Sequence, residues 1–512
     1  MTTTTPETTP TVTLTPARIV GRRPEIATLN RLLASNRAEF LAIYGRRRVG
    51  KTFLIRRFFE DISVKRFMVT GKSRGQMREQ LRIFQKAVED AFYGGQRLPD
   101  VKTWDDAFAL LVAGVRQIVA NDPKVKCLLF LDELPWLHTR RSGLLDALDH
   151  AWNTELSQIQ QVKLVVCGSA ASWMIKNIVQ AKGGLHNRLT ETIQLRPFTL
   201  GETRDMLHDR GIEYAPAQVI ELFLALGGVP FYLDLVRRGD SPSQAVSRLC
   251  FAGGSLHGEF DKLFEALFED GDHHEQLVRA LATKRRGLTR NELLKATKIK
   301  TGGRVAQWLK ELEEAGFIAP IAVTEGRRST VCYRVIDEFT LFYLRWIEGA
   351  GKGPLGPTPG QDHFVMQRQT QEYESWSGYA FEAVCLKHIE QINAALGISR
   401  VLVKPSVWQK TTKTTGPSKG GISGARGAQI DLVLDRADGM TTLCEIKYYD
   451  DQFEITKSYA DTLRHKLNTY KAEAKTKNSV MLVFISPSGL VDNEYARQLV
   501  THTVTASDLL ES

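Results

Sequence analysis

Residues 45–52 read Gly45-Arg46-Arg47-Arg48-Val49-Gly50-Lys51-Thr52, a GxxxxGK[ST] pattern set between the strand-like run EFLAIY and the helix-like run FLIRRFFE. No other feature constrains the fold as tightly, because such a loop needs a buried strand that turns sharply into the N-terminus of a helix. The glycines let backbone N–H groups turn inward on a phosphate chain, and the helix adds the positive end of its dipole. Lys51 then stands where it neutralises β- and γ-phosphates, and Thr52 where its hydroxyl ligates Mg²⁺. The expected ligand is ATP with Mg²⁺, held by Gly45 through Thr52.

The surrounding pattern agrees with that loop. From about 19 to 240, short β-branched or aromatic runs alternate with longer helical ones, which predicts a parallel α/β sheet with strands at 40–44, 66–70, 127–131, 164–167 and 192–195. One crossover downstream of the loop, CLLFLDE is an apolar strand ending in two acids. That spacing places Asp132 near Thr52 as a second Mg²⁺ ligand and Glu133 where it polarises a water. Ser169 ends a further strand (CGS), either as a polar sensor of the γ-phosphate or as a cap of the next helix. Arg188, in GGLHNRLT, is either an arginine finger between assembled subunits or a surface arginine.

The 512 residues predict about three domains. With 43% hydrophobic and 25% charged residues the chain is ordinary globular protein, not collagen-like, mucin-like or wholly disordered. No stretch approaches the roughly 18 apolar residues of a membrane span, and the Thr/Pro-rich 1–18 has neither the basic nor the apolar part of a secretory signal and reads as a disordered leader. Six cysteines stand singly, without the spacing of a zinc or redox pair, as expected of buried thiols in a reducing cytoplasm. The net charge of +10 is compatible with a nucleic-acid partner.

After a helical segment at 200–270, the unit 271–345 reads as three helices and a hairpin, a winged helix-turn-helix. Its third helix presents Arg304, Gln307 and Lys310 on the side opposite its apolar residues, and Arg327 and Arg328 sit at the wing tip. Between Lys284 and Arg328 eleven basic residues face five acids, which suits phosphate contact beside a DNA groove; a winged helix used only for packing is the alternative. The Gly/Pro-rich stretch at 349–360 marks a linker, assigned to 346–372.

The segment 373–512 reads as a mixed α/β domain with a helix near Gly378, strands at about 400–404, 429–435, 442–448 and 480–486, and a long amphipathic helix at about 455–474. Two of these strands are joined by Asp438-Gly439 into a hairpin. Period-two geometry puts Glu445 and Lys447 on one face, roughly 6–7 Å apart, with Asp431 across the pair. Two carboxylates and a lysine suit metal-assisted phosphodiester hydrolysis: the acids, Asp431 and Glu445, to hold Mg²⁺ or Mn²⁺, the lysine to orient water or meet developing charge. Glu382, on the preceding helix, completes the cluster. The loop at 404–427 carries Lys410, Lys413 and Lys419 among its basic residues and no acid, reading as a DNA-backbone clamp or as a solvated loop.

Two resemblances sharpen these expectations. The lead-in IVGRR, the loop YGRRRVGKT, FLDELPWL, CGSAASWM, RPFTL and GGVPFYL together resemble the "archaeal ATPase" family, also found in bacteria, within the AAA+ and signal-transduction-like P-loop ATPases. The resemblance covers about 19–239 and implies an ATPase core at 19–199, a helical lid at 200–270 and Gly21-Arg22 bordering the adenine. Serine replaces the asparagine usual at the sensor position, and no second-sensor arginine is evident. The set Asp431, Glu445-Ile446-Lys447 and Glu382 resembles the PD-(D/E)XK restriction-endonuclease-like superfamily over about 378–486. Together they imply an ATP-regulated, metal-dependent DNA nuclease, assembled as a homo-oligomer and possessing no membrane segment, for which defence against mobile DNA is one setting. The alternatives are a non-cleaving ATPase switch or DNA-binding regulator, and a motor that remodels branched DNA.

Overall fold

A computed structural model describes residues 18–180, 187–251, 253–268, 271–300, 303–326, 328–348, 363–411 and 427–511. Strands β1 (Glu39–Tyr44), β2 (Val64–Thr70), β3 (Lys126–Asp132), β4 (Val162–Gly168) and β5 (Glu191–Gln194) form an all-parallel sheet in the order β2-β3-β4-β1-β5. Each lies within two residues of its expected bounds. Alternation explains why these runs are almost wholly apolar. Leu41, Ile43, Leu128 and Phe130 pack with Leu29 and Leu54 of the helices Arg23–Ala34 and Lys51–Phe58 on one face. Phe40, Ala42, Leu129 and Leu131 pack with Phe84 and Phe108 of Met77–Phe92 and Trp104–Asn121 on the other. A parallel sheet so covered exposes only its strand ends, and β1, β3 and β4 bring Gly45, Asp132 and Ser169 to one edge.

The second sheet is mixed and larger than expected. It comprises β6 (Ile318–Glu325), β7 (Arg328–Val335), β8 (Val403–Lys410), β9 (Ala428–Arg436), β10 (Met440–Ile446), β11 (Ser479–Ile485) and β12 (His502–Val504), ordered β12-β11-β10-β9-β8-β6-β7. The three helices expected before the hairpin are present as Gly271–Ala282, Arg290–Thr297 and Gly303–Glu314. The hairpin β6/β7, however, is not a separate wing: β6 pairs in parallel with β8 through Val323↔Val407 and Thr324↔Trp408, and Glu325 accepts hydrogen bonds from the Thr411 backbone N–H and hydroxyl. Residues 404–410, expected as loop, instead continue β8 and bury Trp408. Pro405 and the polar run obscured that strand; a register shift between Ser406 and Trp408 accommodates it. The β9/β10 hairpin turns at Asp438-Gly439 as expected, with Gly439 at φ +82°.

One apolar cluster runs from Phe198 and Leu226 through Phe264, Phe317, Phe342 and Trp376 to Leu434 and Cys444. It crosses the boundaries expected near 270 and 345, so the helical segment after the first sheet, the three-helix unit and the second sheet share a core. All six cysteines are buried and free. Among the described residues no helix is long and apolar enough to cross a membrane. Phe342 touches Phe251, Phe364 and Trp376 inside this core. Phe342→Ala is therefore expected to cost about 3–5 kcal/mol, read as one cooperative shift in urea unfolding followed by tryptophan fluorescence; an early, separate transition would show independent cores.

Candidate functional site

The phosphate loop leaves β1 at Gly45, whose φ is +151°. A Cβ there would meet the Leu195 carbonyl oxygen at 2.2 Å, so only glycine permits the close pass of the loop beside β5. Gly50, at φ +93°, precedes the helix Lys51–Phe58. Lys51 is buried, and its ammonium donates to the carbonyls of Gly45 and Arg46, both at 2.9 Å. Burial holds this ammonium below the ordinary lysine range; Asp132 and Glu133 oppose the shift and Arg47 adds to it. The amine therefore occupies the hollow where phosphate oxygens would lie, on neutral acceptors it can exchange for an anion. The Thr52 hydroxyl donates to Asp132 at 2.9 Å, and Thr70 donates to the same carboxylate at 3.2 Å. A hydroxyl and a carboxylate beside a lysine fit a Mg²⁺-nucleotide.

Glu133 adopts left-handed backbone geometry, φ +47°, uncommon for a non-glycine residue. Both of its carboxylate oxygens are engaged by Ser169, through the backbone N–H at 3.0 Å and the hydroxyl. Ser169, expected as a γ-phosphate sensor or helix cap, is thus a clamp on Glu133. Arg22 is likewise inward-facing. It donates to the Arg196 carbonyl at 2.8 Å and the Val49 carbonyl at 3.1 Å and lies 4.4 Å over the Phe198 ring, while Gly21 lies against the Glu202 carboxylate. The pair ties the lead-in segment to the phosphate loop.

The loop arginines diverge. Arg46 is buried and forms an ion pair with Asp337, just beyond β7. Arg48, at φ +70°, reaches Glu259 at 3.0 Å and lies 4.2 Å over Phe231. Arg47 is half-buried and Val49 buried. Arg188 is exposed in the turn before β5.

At the second sheet, Asp431 accepts from the Ile446 backbone N–H at 3.0 Å. Glu445 is fully buried, and three groups converge on it: the Lys466 ammonium at 2.6 and 2.8 Å, the Tyr459 hydroxyl at 2.7 Å and the Lys447 ammonium at 3.4 Å. Burial, then the neighbouring charges of Glu445 and Glu382, push the Asp431 carboxyl up to about 7. Burial also works to raise Glu445, but the ammonium groups of Lys466 and Lys447 outweigh it and hold that carboxylate below its ordinary range. Lys447 is the most open of these side chains, 38% exposed. Glu382, expected to complete the cluster, is held by Arg334 at 3.3 Å. Among the described residues no group of three or more His, Cys, Asp or Glu is gathered as a metal would need. The pair Asp431 and Glu445 is oxygen-rich, as Mg²⁺ or Mn²⁺ requires, and its mutual repulsion is what a cation would relieve.

Sequence reasoning missed Lys466 and Tyr459. Their signal was present: Tyr459, Leu463, Lys466 and Tyr470 fall at helical spacing in Lys457–Ala474, a lysine set in an otherwise apolar stripe. Of the expected nucleic-acid contacts, Arg304, Gln307 and Lys310 are exposed on Gly303–Glu314, and Arg328 is exposed at the start of β7. Lys410 pairs with Glu473 at 2.5 Å. Arg327, Lys413 and Lys419 lie outside the described residues.

Residues 19–236 match the family described as an ATPase domain predominantly from Archaea. An uncharacterized protein of Methanocaldococcus jannaschii, MJECL04, is 24% identical over 455 residues, covering 87% of this chain and 91% of its own. An uncharacterized ATP-binding protein of the same organism, MJ0423, is 47% identical over 47 residues, 9% of this chain and 80% of its own. A Walker-type ATPase of Pyrococcus abyssi aligns with a TM-score of 0.48 at 17% identity, over 64% of this chain and 96% of its own.

Two predictions follow from the geometry. Ser169→Ala removes the hydroxyl that orients Glu133 and is expected to lower kcat for ATP hydrolysis about 10–100-fold with little change in KM, measured by phosphate release. For Asp431, a carboxyl raised in the folded state favours folding below its unfolded pKa, and that contribution is lost as pH rises through about 7. In chelator, Asp431→Asn is therefore expected to raise the thermal midpoint by several degrees relative to wild type at pH 8, with the gain fading by pH 5.

Proposed function

We propose, taking the archaeal-type P-loop ATPase domain at residues 19–236 as the premise, that this protein binds and hydrolyses ATP and uses the nucleotide to regulate metal-dependent cleavage of DNA at the second sheet. The observation that carries the second half is the convergence on Glu445. A buried carboxylate paired with Asp431, oriented by Tyr459 and Lys466 and faced by the more open Lys447, is an arrangement with a chemical use and little structural one.

In the ATPase domain Lys51 would leave the loop carbonyls for the β/γ-phosphates, Thr52 and Asp132 would hold Mg²⁺, and Glu133, held in place by Ser169, would orient the attacking water. At the second sheet Asp431 and Glu445 would hold Mg²⁺ or Mn²⁺, which supplies Lewis-acid charge when bound. Lys466 would give up its place on Glu445, Lys447 would meet the charge that develops on the scissile phosphate, and Asp431 would have to lose its proton. Metal affinity is accordingly expected to rise with pH through about 7. Arg304, Gln307, Lys310 and Arg328 are solvent-facing and suit backbone phosphates of a duplex. Exposed Arg188 suits a neighbouring subunit's nucleotide, so the active form is proposed to be a homo-oligomer.

A non-cleaving regulatory switch is the second reading, favoured by the fact that cations already occupy the acids: Lys466 on Glu445 and Arg334 on Glu382. The deciding experiment is cleavage of plasmid, linear and branched DNA with Mg²⁺ or Mn²⁺, with and without ATP. Metal-dependent cutting that falls about 100–1,000-fold in Lys447→Ala, with ATP hydrolysis intact, supports the nuclease. No cutting beside intact hydrolysis and DNA binding supports the switch. Lys51→Ala is expected to abolish the response to ATP in either case.

A further inference from the structure

Within five consecutive residues, Arg334 to Glu338, three side chains make ion pairs in two directions. Asp337 pairs with Arg46 of the phosphate loop, both side chains at most 4% exposed. Glu338, immediately after it, receives the Lys387 ammonium at 2.7 and 2.8 Å. Arg334, three residues before Asp337, pairs with Glu382 at 3.3 Å. Lys387 and Glu382 belong to the one helix Gln371–Lys387, which packs on the second sheet beside Asp431 and Glu445. Glu338 also presses on Gly227 in the helical segment after the first sheet, where a Cβ would meet its Oε2 at 2.8 Å.

The segment itself has little freedom. The Ile336 N–H donates to the Phe317 carbonyl at 2.9 Å, and Asp337 accepts from the Thr340 N–H and hydroxyl at 3.0 and 2.6 Å as it caps the following helix. Arg46 offers Asp337 an unusual dependence in return. Its remaining guanidinium nitrogens, Nε and Nη2, are buried and have no hydrogen-bond partner among the described residues, so the ion pair carries nearly all of its polar satisfaction there. Arg46 also senses the nucleotide site through its backbone, since its carbonyl is one of the two acceptors of the Lys51 ammonium. When Lys51 turns to phosphate, that carbonyl loses its partner, and the residue whose side chain is paired with Asp337 must readjust.

We propose that Arg334–Glu338 is a coupling segment through which occupancy of the phosphate loop sets the position of the helix Gln371–Lys387 and so the availability of Glu382 to the acid cluster. It rests on the proposed use of both sites, and it deepens that reading by naming the route of regulation. In this structure Arg334 holds the Glu382 carboxylate at 3.3 Å while its charge is felt at Asp431. Coupling of this kind is reciprocal, so a cation at the acids would alter nucleotide affinity by the same factor.

The test is amide hydrogen exchange of the full chain with and without a slowly hydrolysed ATP analogue and Mg²⁺. Wild type is expected to show slower exchange at 45–58 and an altered rate across 371–387. In Asp337→Asn the first change should persist and the second disappear. Lys387→Gln, which cuts the route on its far side and lies outside the phosphate loop, should do the same and stands in if Asp337→Asn fails to fold. Protection of the loop in wild type without any change at 371–387, or an undiminished change there in Lys387→Gln, would overturn the coupling. Absence of loop protection would overturn it together with the nucleotide reading. Intact coupling in a protein that cuts no DNA would sink the nuclease alone.

Discussion

A charge buried in protein has to be met by an opposite one, and in this chain that constraint is concentrated in eight residues. Lys51 and Arg46 are both buried in the phosphate loop, and they resolve their charge differently. Lys51 rests on two backbone carbonyls, neutral acceptors that leave its ammonium short of an anion. Arg46 finds its carboxylate 291 residues away, at Asp337, and Arg48 finds one at Glu259. The loop that defines the first sheet's chemistry therefore also fixes where the later helices and the β6/β7 hairpin sit. Such buried pairs add little net stability against an apolar core, yet losing one partner strands the other, which makes them effective at holding one arrangement.

The second sheet shows the same constraint with the signs reversed. Two buried carboxylates face each other; Lys466 and Lys447 meet Glu445, and burial with the neighbouring charge of Glu445 raises the Asp431 carboxyl above its ordinary range. The phosphate loop gathers buried cations, and the second sheet gathers buried acids. Among the described residues, Lys51 rests on neutral carbonyls and Asp431 on a backbone N–H, so neither is met by a direct ion pair. That residual imbalance, more than any single distance, is what distinguishes these places from structural ion pairs such as Arg279 with Glu275 and Glu348.

What was legible in the sequence follows from range. The phosphate loop, β3 with its terminal acids and the β9/β10 hairpin are local patterns: alternation, a turn dipeptide and glycines at sites that need them, and each formed where periodicity placed it. Asp132 beside Thr52 and Asp431 beside Glu445 required only one strand pairing each. By contrast, the Arg46–Asp337, Arg334–Glu382 and Lys387–Glu338 pairs join segments by tertiary packing, which no period encodes. The clamp of Ser169 on Glu133 depends on the left-handed backbone at Glu133, unforeseeable from a residue type that seldom adopts it. The merging of β6 with β8 was hidden twice over, by Pro405 in the strand and by a hairpin that reads as complete in itself.

The shared apolar core limits what a nucleotide could do to the rest of the molecule. Swinging the helical segment at 200–270 away from the three-helix unit would separate Phe264 from Phe317 and Tyr232 from Phe339, exposing area at roughly 25 cal/mol per Å². A wholesale rotation would therefore forfeit more than the few kcal/mol that a ligand's differential affinity supplies. Polar side chains at the seam can move without that loss. The exchange of Lys51 from carbonyls to phosphate lies within reach of such a ligand, because it replaces one set of hydrogen-bond partners with another. The fold therefore favours transmission by re-pairing of charges along Arg334–Glu338 over separation of its packed elements.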